Sequence, residues 1–162
     1  MELIRATLAD APRAAEIYEA VKGGGFCVWS EGYPTLEHAL GDARAGCLYL
    51  FTDRGELIGC ASVEPVSEDD DLPFWRVNDG SHREISRIAV RPEHQGKGYA
   101  RKMVGALIDE LASQGVTSVH LLAAKRNLPA MSTYRALGFD FIGECYRYGA
   151  DYYACEKLLC KK

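Results

Sequence analysis

Three things are scarce in this chain of 162 residues. Positive charge is not in surplus, since 19 Lys and Arg stand against 23 Asp and Glu for a net charge of −4. Domains that grip nucleic-acid backbone carry a clustered basic surplus, so no affinity for DNA or RNA is expected. Long apolar runs are missing too: none approaches the roughly 20 residues of a membrane span. The start, Met1-Glu2-Leu3-Ile4-Arg5, has no apolar stretch of the kind found in secretion signals. A soluble, cytoplasmic protein that does not bind membranes is therefore expected. Paired cysteines are the third absence. Cys27, Cys47, Cys60, Cys145, Cys155 and Cys160 form no CxxC pair and have no ligand-spaced histidine beside them. Neither a metal site nor a disulfide frame is expected, and the six read as reduced thiols.

No repeat, low-complexity tract or linker interrupts the chain, so residues 1–162 are expected to form a single domain. With 48% hydrophobic residues, the chain can bury a core of its own. Leu3–Ala6 reads as a strand, and Thr7 with Asp10 offers the start of a helix that carries Ile17, Tyr18 and Val21 on one face and ends at Gly23-Gly24-Gly25. Phe26–Tyr33 is an aromatic-rich loop, Pro34-Thr35 opens a second helix, and Gly46 closes it. Cys47–Thr52 and Leu57–Val63 are β-prone runs around Asp53-Arg54-Gly55-Glu56, a hairpin. Glu68–Ser81 is predicted to be a long exposed excursion, followed by a strand over Glu84–Val90. Ala100, Met103, Val104, Leu107, Ile108 and Leu111 recur at spacings of three and four and predict the clearest helix, stopped by Gly115. A strand at Val116–Ala123, a short helix at Pro129–Leu137 and strands at Phe139–Cys145 and Tyr152–Leu159 complete the order. Helices falling between strands predict an α/β protein with one mixed sheet of about seven strands, covered on both faces.

The turn from the Glu84–Val90 strand into the long helix carries the chemistry. It reads Ile88-Ala89-Val90-Arg91-Pro92-Glu93-His94-Gln95-Gly96-Lys97-Gly98-Tyr99-Ala100. Gly96, Gly98 and Ala100 let backbone approach a ligand closely, and the first N–H groups of a helix lack intrahelical acceptors. With the helix dipole added, the turn suits a pyrophosphate, and Lys97 and Arg101 bring charge to its rim. No GxxxxGK[ST] or GxGxxG is present, which excludes the P-loop and dinucleotide readings.

Gln95, Gly98 and Ala100 satisfy the pattern Gln/Arg-x-x-Gly-x-Gly/Ala. Asn127-Leu128-Pro129-Ala130, followed by Tyr134-Arg135-Ala136-Leu137-Gly138-Phe139, is similar to Asn-x-x-Ala-x-x-x-Tyr-x-x-x-Gly-Phe. Over nearly its whole length the chain resembles the GNAT superfamily of acyl-CoA-dependent N-acetyltransferases. The resemblance implies a mostly antiparallel GNAT-like sheet, acetyl-CoA as acyl donor, and transfer to a primary amine by direct attack in a ternary complex. It further implies that the backbone of the strand at Ile88, Ala89 and Val90 binds pantetheine, and that Gln95, Gly96, Lys97, Gly98, Tyr99, Ala100 and Arg101 hold the pyrophosphate. Asn127 is implied near the thioester, with Tyr134 as the acid that re-protonates departing CoA thiolate.

A base must take a proton from the arriving ammonium. Glu84 precedes Ala89-Val90 at the offset where some family members carry a glutamate base; a solvated strand-end carboxylate is the other reading. Glu64 is the second choice, and His94 has suitable chemistry at a position expected to be exposed. Phe26, Trp29, Tyr33, Phe74, Trp75, Tyr146 and Tyr148 are aromatic candidates for the acceptor site, with Trp29, Tyr33 and Trp75 foremost. Trp29 and Tyr33 read equally as loop anchors on the core. Glu68–Asp71 reads as a cation-steering cluster or as a solvated loop. The expected partner is a small-molecule amine, and a homodimer is consistent with the family. The competing reading is a CoA-binding regulatory module without chemistry.

Overall fold

The structure is a computed structural model that describes residues 1–159; Cys160 lies outside the described residues. The elements are β1 (Glu2–Arg5), α1 (Ala11–Val21), α2 (Leu36–Arg44), β2 (Leu48–Asp53), β3 (Glu56–Glu64), β4 (His82–Val90), α3 (Tyr99–Ser113), β5 (Ser118–Ala124), α4 (Leu128–Ala136), β6 (Asp140–Arg147) and β7 (Ala150–Leu158). Among the described residues, seven strands form a mixed, mostly antiparallel sheet in the order β1-β2-β3-β4-β5-β7-β6, flanked by helices. The parallel pair is β4 with β5, registered His82 to Ser118, Arg83 to Val119 and Glu84 to His120. No helix of the described residues is long and apolar enough to cross a membrane.

The chain divides into two compact units. The first comprises Met1–Val63 and Arg87–Met103. Ala11, Ala14, Ile17 and Tyr18 recur at three and four on α1 and are fully buried in a core with Leu48, Leu50, Cys60 and Ala89. The helix start differs from expectation. Thr7 and Asp10 do pair, Thr7 N–H donating to Asp10 Oδ2 at 2.9 Å, but they cap a 3-10 turn, Leu8–Asp10. The α-helix opens one residue later with Pro12 in its first turn, where no N–H is needed. In the β2–β3 hairpin, Arg54 and Gly55 both take left-handed φ, 52° and 81°, the conformation of a tight two-residue turn.

The second unit comprises Glu64–Ser86 and the chain from Val104. Here β7 pairs with both β5 and β6. The predicted exposed excursion is instead packed in place: Asp69 and Leu72 are buried. The reason lies in β7. Glu156 is fully buried, and a buried carboxylate must find donors. It accepts from the backbone N–H groups of Arg76 (3.1 Å) and Val77 (3.0 Å), from Arg76 Nε (2.8 Å) and from Ser118 Oγ (2.9 Å). Phe74 lies so close over Gly143 that a Cβ there would sit 2.3 Å from its ring, so only glycine fits.

Candidate active site

In the first unit, β4 runs through Ile88, Ala89 and Val90 into a 3-10 turn, Pro92–His94. Gln95 Nε2 donates to the Val90 carbonyl at 3.0 Å, bracing the turn. Gly96 (φ 73°) and Gly98 (φ 79°) both occupy the left-handed region, where a side chain costs roughly 1–2 kcal/mol. Gln95, Gly96, Lys97 and Gly98 are exposed, and α3 begins at Tyr99 with Ala100 and Arg101 in its first turn. The result is a solvent-facing backbone turn at the start of a fifteen-residue helix, with two cationic side chains at hand. Lys97 Nζ donates to the Glu93 carbonyl at 2.8 Å.

Two side chains of this segment face elsewhere. His94 is not exposed as expected. It is buried, its Nε2 lies 3.1 Å from Glu56 Oε1, and its ring meets Tyr99 edge-on. Tyr99 donates its hydroxyl to Asp53 at 2.7 Å. Both are committed to the β2–β3 hairpin, so Tyr99 offers the turn its backbone and His94 is no general base.

Just before Ile88, Arg87 sits at φ 47°, a strained conformation within a strand. Its guanidinium holds Asp42 through two bonds of 2.8 and 2.9 Å and donates to Tyr33 Oη at 3.0 Å. Both partners of the Arg87–Asp42 pair are nearly buried, with side chains 10% and 13% exposed. Tyr33 is therefore tethered, though 38% exposed, while Trp29 packs on the core with its ring edge against Tyr18.

The second unit holds Asn127, Tyr134 and Glu84. Asn127 caps α4, its side chain accepting from Ala130 N–H at 3.2 Å. Tyr134 is buried, one helical face along, with its ring against Phe139. Burial raises its phenol above the usual range, and the same burial pushes the Cys155 thiol up to about 12.

Glu84 is not a solvated strand-end carboxylate. It is 6% exposed, and its Oε2 has no hydrogen-bond partner. Burial pushes its pKa up to about 8; a bond from Ser67 opposes this, and the charges of Asp69, Glu64 and Asp70 add to it. Glu64, the second choice, accepts from Ser86 Oγ at 2.7 Å. Trp75 donates to the Asp69 carbonyl at 2.8 Å and stacks on His120, centroids 4.0 Å apart. Tyr148 and Arg147 donate to Asp69 Oδ1, both at 2.9 Å, and Arg147 also binds Asp71 at 2.7 Å. Asp69 and Asp71 are thus bonded to the β6–β7 hairpin, while Glu68 and Asp71 remain exposed.

Sequence reasoning missed His82, His120 and Asp70. His82 stacks on His120 at 4.6 Å and its Nε2 lies 3.1 Å from Asp70 Oδ1. The available signal was His82 standing two residues before Glu84, hence on the same face of a strand.

Comparison with known proteins agrees with this architecture. The family described as "Acetyltransferase (GNAT) family" matches residues 14–139. The chain is 30% identical over 161 residues to the N-alpha-acetyltransferase RimI of Mycobacterium tuberculosis, covering 93% of this chain and 88% of that one. A mycothiol acetyltransferase from Kocuria rhizophila is 35% identical over 97 residues, which is 56% of this chain but only 31% of that longer protein. Among solved structures, a PaiA N-acetyltransferase from Thermoplasma acidophilum in complex with coenzyme A superposes with a TM-score of 0.73 at 16% identity, covering 97% and 98% of the two chains. The glycine turn, the strand before it and the tyrosine helix lie inside the matched span, and the chain belongs to the GNAT family of acetyltransferases.

Proposed function

We propose that this protein moves an acetyl group from acetyl-CoA to a primary amine by direct attack in a ternary complex. The observation that carries the reading is Glu84: a buried carboxyl with an unpartnered oxygen and a pKa pushed up to about 8 is tuned for general-base work near neutral pH. The backbone N–H groups of the Gln95–Ala100 turn bind the pyrophosphate, with Lys97 and Arg101 adding charge. The backbone of Ile88, Ala89 and Val90 binds the pantetheine arm as an added strand. Backbone N–H on the Val90 strand polarises the thioester carbonyl in the manner of an oxyanion hole. Glu84 takes one proton from the acceptor ammonium, and the freed amine attacks. As the C–N bond forms and the C–S bond breaks, Tyr134 gives its proton to the departing thiolate and recovers one from the new amide nitrogen. Asn127 orients the acyl end. Trp29, Tyr33 and Trp75, with the exposed Tyr146 and Tyr148, border the acceptor. We take the acceptor to be a small-molecule amine, and no observation favours a silent regulatory module.

The test is thiol release from acetyl-CoA across a panel of amines, followed by rate against pH for wild type and Glu84→Gln with the best one. The wild-type rate should climb with pH to about 8. The variant should be slower by roughly 10²-fold or more, a deficit that closes at higher pH as free amine accumulates. Parallel curves would remove Glu84 from the mechanism.

A further inference from the structure

Each turnover leaves a proton on Glu84, a carboxyl shut away from solvent, and that proton must depart before the next amine arrives. Four buried polar atoms lie along one face of the β4–β5 pair without a hydrogen-bond partner: Glu84 Oε2, His82 Nδ1, and His120 Nδ1 and Nε2. Native proteins leave few such atoms unserved. The strand register explains their grouping. Glu84 stands opposite His120 across the parallel pair, and His82, two residues earlier on β4, shares that face. His82 continues outward, because its Nε2 meets Asp70 Oδ1 at 3.1 Å and Asp70 is 21% exposed.

We propose that His82 and Asp70 form the exit path for the proton that Glu84 removes from the acceptor, a role that rests on Glu84 being the base. Protonated Glu84 gives its proton through a bridging water to His82 Nδ1. His82 releases the proton on Nε2 to Asp70, and Asp70 passes it to solvent. One proton thus enters at Nδ1 and one leaves from Nε2, and the ring regains its starting tautomer by exchanging protons with water, losing the one on Nδ1 and taking one up on Nε2. His120 and Trp75 are positioning residues: their stacked rings, 12° and 8° from parallel at successive contacts, hold the plane of His82.

A metal is not the better reading of this cluster. Asp70, His82 and His120 bring ligand atoms within 4.8 Å of one another. The two imidazole planes, however, are almost parallel, so their in-plane lone pairs cannot converge on one ion. The charged groups facing the path are Asp69, Glu64 and Asp70 around Glu84, Asp70 and Asp79 around His82, and Glu156 beside His120. Glu156 lies 3.3 Å from His120 Nε2.

The experiment compares wild type, Glu84→Gln, His82→Ala and His82→Gln at neutral pH with saturating acetyl-CoA and the best amine of the panel, in dilute buffer and with added imidazole. His82→Ala should lose at least about tenfold in kcat, less than the roughly 10²–10⁴-fold worth of the base itself. Its KM for acetyl-CoA should stay unchanged, and imidazole should restore the rate by entering the vacated space. His82→Gln fills that space; it should show the same loss without recovery, and a larger solvent deuterium isotope effect on kcat. A slow Glu84→Gln beside a His82→Ala of wild-type rate, or beside a loss that imidazole leaves untouched, overturns the exit path while leaving the base in place. If Glu84→Gln is as fast as wild type, the base assignment itself has failed, and the exit path with it. If His82→Ala does not fold, the isotope effect of His82→Gln decides: an increase supports the path and an unchanged value overturns it.

Discussion

The Gln95–Ala100 turn and the Glu84 cluster solve opposite problems. In the function proposed above, the turn serves an anion with exposed backbone donors, so little desolvation is involved and the requirement on sequence is confined to a few small residues. The Glu84 cluster needs a carboxyl that is a poor acid, which demands burial, neighbouring charge and partners drawn from β3, β4, β5 and the excursion between β3 and β4. Binding by backbone is inexpensive in stability, whereas chemistry by a tuned side chain is not.

The contrast breaks most sharply at Tyr134. Tyr134→Phe should keep acetyl-CoA affinity while losing roughly 10²–10⁴-fold in turnover, since only a proton donor is deleted. Steady-state kinetics beside a cofactor-induced melting shift check it; wild-type turnover would assign the proton to water. Next in size is the stability cost of the base. A carboxyl whose pKa is about 8 when folded and near 4.5 when unfolded favours the folded state fully below pH 4.5, and that contribution is lost as pH rises through 8. Wild type should therefore lose several kcal/mol of stability over that window, and Glu84→Gln should flatten the curve in denaturant titrations at pH 5 and pH 9.

The Arg87–Asp42 pair tests whether the turn's own unit hides a buried cost. Asp42→Ala strands a nearly buried guanidinium and should destabilise by about 3 kcal/mol, the lower end for broken buried pairs. A melting temperature within a degree of wild type would show the strained Arg87 backbone to be held by other means. The smallest effect sits at Gly98. Acetyl-CoA at 100 times its dissociation constant should stabilise wild type by about 2.7 kcal/mol. Gly98→Asp, placing a carboxylate on left-handed backbone against the pyrophosphate, should erase that shift. An undiminished shift with the fold intact would move the site elsewhere.

The same contrast explains what was legible. The apolar spacing of Ala100 to Leu111 and the glycines before it announce α3 and the turn directly, because local backbone geometry writes itself into local sequence. Asn127 and Tyr134 were legible through their motif. Glu84 could be named from its offset to Ala89-Val90 but not seen as buried; His82 carried only its two-residue spacing from Glu84, Asp70 only its place in an acidic run, and His120 no pattern at all. Their grouping exists only once β4 lies in register beside β5, a pairing between segments about 36 residues apart that no local spacing encodes. The excursion misled for the same reason: Glu68-Asp69-Asp70-Asp71 looks solvated until Arg147 and Tyr148, nearly 80 residues later, are found bonded to it.

Glu156 also sets a schedule. The excursion's backbone donors at Arg76 and Val77 are answered by a carboxylate 80 and 79 residues downstream. During synthesis the chain emerges from its N-terminal end, so the segment carrying Trp75 and Asp70 is made long before its anchor exists. The glycine turn and its long helix can form as soon as they are exposed, while the surroundings of Glu84 can assemble only after β7 has left the ribosome. On the proposed function, the capacity to hold a cofactor therefore matures in this molecule before the capacity to use it.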